Sequence, residues 1–163
     1  MKFFLFALFF VTVEGKSQDK LENAYYILNL PNNTTVKLFQ HTNEDFANID
    51  SYKFFEGEKP KYVLYMMSNK LEADVTVRED NYLDFLNDIG ALNVTNVSRF
   101  NNFFKVNFNF KDREAIECVM YININGDILN RFLLMYPNKA ILNNSENEVN
   151  IFLKNIIYKK KKW

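Results

Sequence analysis

A sheet packed with helices, in the α/β or α+β class, is the fold that the sequence predicts, on three observations. Short apolar runs of strand character, Tyr62–Met67, Phe104–Phe110, Val119–Ile124 and Ile128–Met135, alternate with segments of helical spacing. Asn125-Gly126-Asp127 stands between two of those runs and is a hairpin signal, because a type I′ turn needs positive φ at both central residues. Ser145-x-x-Glu148 precedes Val149, Phe152, Leu153, Ile156 and Ile157, the pattern of a capping box opening an amphipathic helix. The chain has 163 residues with no Gly/Ser linker or repeat, which suits one domain.

The elements follow in order. Met1-Lys2 leads into eleven residues, Phe3–Val13, that are apolar but for one Thr, and then into Glu14-Gly15. This is the layout of a secretory signal peptide over residues 1–15, leaving residues 16–163 as a single globular domain. At 1.5 Å per residue the run is too short to span ~30 Å of hydrocarbon, so no transmembrane span is expected. Leu21, Ala24, Tyr25 and Leu28 recur at helical spacing and stop at Pro31, predicting a short helix. Val36–Phe39 reads as a brief strand, and Thr42 with Asp45 as a helix start with Phe46 and Ile49 facing inward.

After Pro60, the near-continuous apolar stretch Tyr62–Met67 predicts a central strand covered on both faces. Tyr82, Phe85, Leu86 and Ile89 mark a helix from about Arg78, with Gly90 placed for a left-handed C-terminal cap. Strict alternation in Phe104–Phe110 predicts a strand with one buried face. The hairpin and the final helix complete the order, with Lys159–Lys162 complementing the negative end of that helix.

Composition removes several functions. Twenty Lys plus Arg balance twenty Asp plus Glu, so the basic excess that a dedicated nucleic-acid binder uses to neutralise phosphate is missing. One His and one Cys cannot build a structural zinc site, a CxxC pair or a disulfide framework, and no metal or other cofactor is expected. Abundant Phe, Asn, Lys, Ile and Tyr share A/T-rich codons, so Asn and Lys counts carry no chemistry without a positional argument.

This order of strand, helix, strand, helix, strand, hairpin and helix resembles the thioredoxin-like fold over roughly Thr35 to Tyr158. Its best local stretch is Cys118-Val119-Met120-Tyr121-Ile122-Asn123-Ile124-Asn125-Gly126-Asp127 with Ile128–Phe132, together with the Glu58-Lys59-Pro60 approach to Tyr62–Met67. The resemblance implies a mixed sheet with helices on both faces. Where that family places its redox cysteines this chain reads Met66-Met67-Ser68-Asn69, and Cys118 falls at the cis-proline position. Thiol–disulfide exchange is thereby excluded from the implied function. Only Lys111–Cys118 separate Phe110 from Val119, too few for the family's third helix; the alternative is an α+β sandwich whose strands from 104 to 135 form an antiparallel meander.

Candidate chemistry is sparse. Nothing orients His41 towards Cys118 as base and nucleophile, so His41 reads as a loop residue and Cys118 as a small core residue. Asp45 with Asp50, and Glu79, Asp80, Asp84 and Asp88, lack the spacing of a calcium loop and read as helix starts and solvated faces. Phe103-Phe104-Lys105 reads as a core strand in preference to a base-stacking platform. The chain is therefore expected not to be an enzyme, a hydrolase included.

Met66, Met67 and Ser68, at the end of the proposed central strand, with Cys118 beside them, are the expected contacts for a protein or peptide partner. Asn32, Asn33, Asn93, Asn96 and Asn143 begin N-x-[ST] sequons, several in expected loops, and are candidate glycosylation sites. The C-terminal lysines suit a weak contact with an anionic surface. Together these readings describe a redox-inactive domain, secreted or held in the secretory lumen, that binds protein or peptide. An exported structural or adhesion module unrelated to thioredoxin is the alternative.

Overall fold

The computed structural model describes residues 19–31, 34–44, 47–72 and 79–159. The signal-peptide segment, Asn32, Asn33, Asp45, Phe46 and Lys160–Lys162 lie outside them. The elements are β1 (Lys20–Glu22), β2 (Tyr26–Asn29), β3 (Thr35–Glu44), β4 (Ala47–Glu56), β5 (Lys59–Lys70), α1 (Glu79–Asp88), β6 (Ala91–Phe100), β7 (Phe103–Phe110), β8 (Arg113–Asn125), β9 (Ile128–Tyr136), α2 (Lys139–Lys154) and β10 (Ile157–Tyr158).

β3 to β9 form a seven-stranded sheet in the order β3-β4-β5-β9-β8-β7-β6, and a three-stranded sheet runs β1-β2-β10. Every neighbouring pair is antiparallel. The large sheet is two meanders, β3–β4–β5 and β6–β7–β8–β9, joined where β5 meets β9, with α1 in the connection between them. This overturns the thioredoxin-like resemblance, since a mixed sheet needs a parallel pair reached by a crossover and the described sheets contain none. The antiparallel meander of the alternative is present, in a chain dominated by strands with two described helices.

Element by element, the differences have physical causes. Residues 21–28 make β1 and β2, not a helix: Asn23 Oδ1 accepts hydrogen bonds from the amides of Tyr25 (2.8 Å) and Tyr26 (3.0 Å), and this local turn breaks the run. Leu21, Tyr26 and Leu28 are then buried as strand residues. The helix expected at Thr42 is replaced by β3 and β4, whose Val, Thr, Ile, Phe and Tyr content favours a pleated surface. β5 alternates buried and half-buried positions, so it is fully covered on one face only. Residues 111–118 hold a turn and the start of β8.

The expected helix near Arg78 is present as α1, with Gly90 at φ +78 after it. The hairpin after β8 is also present, but Asn125 pairs with Ile128, so the turn residues are Gly126 and Asp127. Among the described residues of this turn only Gly126 has positive φ, +64, the pattern of a type II′ turn. α2 begins six residues before the expected capping box, because Asn138 caps it by accepting from the Ile141 amide at 3.0 Å.

Two cores flank the large sheet. On one face Tyr52, Phe54, Leu64, Phe132 and Leu134 pack against Val149, Phe152 and Leu153 of α2 and against Leu21, Tyr26 and Leu28 of the small sheet. On the other, Val106, Phe108, Met120 and Ile122 pack with Leu86 of α1. Tyr82 meets Phe104, and Arg131 lies over Phe85, which seats α1 on the β6–β9 half.

Candidate functional site

The four expected partner contacts are dispersed. Met66 and Ser68 point into the α2-side core and are buried, Cys118 is buried in the α1-side core, and only Met67, packed at the margin of that second core, is half-exposed. Burial, with Glu117 nearby, pushes the Cys118 thiol up to about 12, Arg113 acting weakly the other way, so it is not a ready nucleophile. His41 is a strand residue, not a loop residue; its Nδ1 lies 2.5 Å from Asp50 Oδ1. Asp50 is thus a buried member of that pair, whereas Asp84 and Asp88 are exposed on α1 as expected. Phe103 and Phe104 are buried, and Lys105 pairs with Glu146 of α2. Among the described residues no group of His, Cys, Asp and Glu could hold a metal ion, and no helix is long and apolar enough to cross a membrane.

Ser68 belongs to an arrangement that the sequence did not reveal. Asn48, Ser68, Asn130 and Asn123 stand in register across β4, β5, β9 and β8, one per strand, and all four are buried. Ser68 donates to Asn130 Oδ1 at 2.9 Å, and Asn123 donates to the Tyr158 hydroxyl of β10. The small sheet roofs this row: Tyr26 of β2 packs on Phe132 at 5.1 Å and brings its hydroxyl towards Ser68 and Asn23. Burial drives the Tyr26 pKa upward, Ser68 and Asn23 offset it only in part, and the hydroxyl makes no well-formed hydrogen bond. A buried polar row of this kind fixes the register of what covers it, because any slip would strand its polar groups. A turn centred on Asn125-Gly126 would have placed Asn123 opposite Ile128; the turn one residue later sets it against Asn130.

The α1-side surface of β3, β4 and β5 is different. Lys53 Nζ lies 5.0 Å from the centre of the Phe39 ring, and Phe39 meets Tyr65 edge-on at 6.2 Å. Lys37 Nζ lies 5.4 Å from the Phe55 ring. Phe39 is 43% exposed at a bulge in β3, and Lys37, Lys53, Phe55, Tyr65 and Met67 are half-exposed. No described carboxylate forms an ion pair with Lys37 or Lys53. Cation–π contacts at open sites are worth ~0.5–1 kcal/mol each, enough to hold the ammonium groups over the rings without neutralising them. The surface can therefore receive negative charge and apolar bulk together.

Of the expected glycosylation sites, Asn93 and Asn96 lie in strand β6 and Asn143 in α2, not in loops.

No family model matches the chain, and no curated protein is similar to it. Its fold is similar to a crystal structure from Bacteroides thetaiotaomicron VPI-5482, with a TM-score of 0.50 and 13% identity over 89% of this chain. The chain spans 50% of that protein's length, and the likeness concerns the fold alone.

Proposed function

We propose that this chain is an exported, non-catalytic domain that binds protein or peptide, and that the partner is an acidic segment bearing apolar side chains which seats on the β3–β5 face. The observation that carries the reading is the Lys53–Phe39–Tyr65 cluster with Lys37–Phe55 beside it, where two ammonium groups lack an anionic partner among the described residues. Rings give contact area and lysines give orientation and salt-dependent encounter. The buried thiol with its raised pKa supports the non-catalytic part. The apolar Phe3–Val13 run supports export.

The test is a titration of the isotope-labelled domain with an extended peptide of alternating Glu and Phe, followed by NMR. Shifts are expected at residues 37, 39, 53, 55 and 65, weakening with salt, and the Lys37→Glu/Lys53→Glu double variant should lose binding by at least about tenfold. Shifts elsewhere, or binding indifferent to charge reversal, would refute the proposal. Self-association through this face would instead favour a structural or adhesion module.

A further inference from the structure

Among the described strands β6 is an edge of the large sheet, with β7 as its one neighbour there. Open edges invite another chain to add a strand, and proteins guard them with charges, bulges or cover. Leu92 and Val97 are exposed on this edge, and among its ten residues the one formal charge is Arg99. Two bulges interrupt it: Leu92, Thr95 and Ser98 stand opposite Asn109, Asn107 and Lys105, three residues of β6 to two of β7 at each step. The sequence keeps the same period, since Asn93-Val94-Thr95 and Asn96-Val97-Ser98 are consecutive sequons. Asn93 and Asn96 hence take the same register position, the first residue after a paired one, in successive bulges, and of the two only Asn93 has positive φ. Asn93 is exposed in the left-handed region at φ +49, a conformation that Asn tolerates better than most residues, and Thr95 and Ser98 are exposed too. The sequon at Asn143 differs, for its Ser145 is fully buried in α2.

We propose that Asn93 and Asn96 carry N-linked glycans and that these close the β6 edge to strand addition by a second copy of the chain. The inference rests on the export reading above. The co-reactant is a lipid pyrophosphate-linked oligosaccharide. The Asn side-chain nitrogen bonds to the anomeric carbon and gives up a proton, while the anomeric C–O bond breaks and the lipid pyrophosphate leaves.

The experiment translates the full chain with endoplasmic-reticulum microsomes, then purifies it from a eukaryotic secretory host. Protease protection and loss of the N-terminal segment report export. Glycan mobility steps should disappear singly with Asn93→Gln or Thr95→Ala and with Asn96→Gln or Ser98→Ala. The folded chain should be monomeric with glycans, self-associate once an endoglycosidase trims them, and return to monomer when Val97→Lys is added to the trimmed form. A protected, processed chain bare at both positions overturns the inference and leaves export standing. A trimmed chain as monomeric as the glycosylated one overturns the edge-closing role, and an unprotected chain overturns both readings.

Discussion

Tyr62 of β5 donates a hydrogen bond to Glu148 of α2 at 2.9 Å, and Lys61 next to it pairs with the other oxygen of the same carboxylate. Glu148 thus fastens the helix to the large sheet, at a residue whose spacing from Ser145 reads as a helix cap. The Tyr62 pKa is raised well above its ordinary value, by burial first and by the Glu148 charge next. Glu148→Ala should cost about 2–3 kcal/mol in urea unfolding, because a buried phenol loses its charged acceptor. Glu148→Gln, which keeps an acceptor, should cost less, and equal losses would show that the charge of Glu148, and neither its acceptor oxygen nor its packing, carries the contact.

Removing the Tyr26 hydroxyl should have a different sign. The group is buried without a well-formed hydrogen bond, so Tyr26→Phe is expected to be neutral or to stabilise by up to ~1 kcal/mol. Tyr26→Ala should cost ~3–5 kcal/mol through the cavity left beside Phe132. Chemical denaturation of both variants checks this; a clear loss in Tyr26→Phe would mean that the hydroxyl is bonded.

Cys118 should be silent towards thiol reagents in the native domain at pH 8 and react fully once unfolded. It is 1% exposed and its thiol is pushed up to about 12. Colour from a disulfide reagent that develops as fast in buffer as in denaturant would contradict this placement.

Glu22 gives the domain an acid-side pH dependence. Lys159 and Lys20, by hydrogen bonding first and charge next, lower its pKa from 4.5 to about 2. A depressed folded-state pKa means that the ionised form is favoured by folding: the contribution is complete above pH 4.5 and is lost as pH falls through 2. The melting temperatures of the wild type and Glu22→Gln should therefore converge on acidification, and salt should narrow the gap at neutral pH, since the carboxylate is open to solvent. A gap constant from pH 6 to pH 2 would remove Glu22 from the account.

Legibility followed the range of the forces. The α1 segment, strand β7 and the β8–β9 hairpin were readable because their signals are local: helical spacing, strict alternation and a turn glycine. Residues 21–28 misled because two short strands around an Asn turn imitate helical spacing, and only the Asn23 hydrogen bonds separate them. The row from Asn48 to Asn123 was invisible for another reason: it exists only after four strands from two meanders come into register. The β3–β5 surface was likewise hidden, because Lys37, Phe39, Lys53 and Tyr65 meet only once the sheet is assembled.

The pairing of β10 with β2 sets a timetable for biosynthesis. Tyr26 and Ile27 find partners in Tyr158 and Ile157, some 130 residues later, and Lys159 donates its amide to the Tyr25 carbonyl at 2.8 Å. A nascent chain halted before these residues leave the ribosome can form both meanders yet cannot complete the three-stranded lid, so the lid closes only after Ile157–Lys159 have emerged.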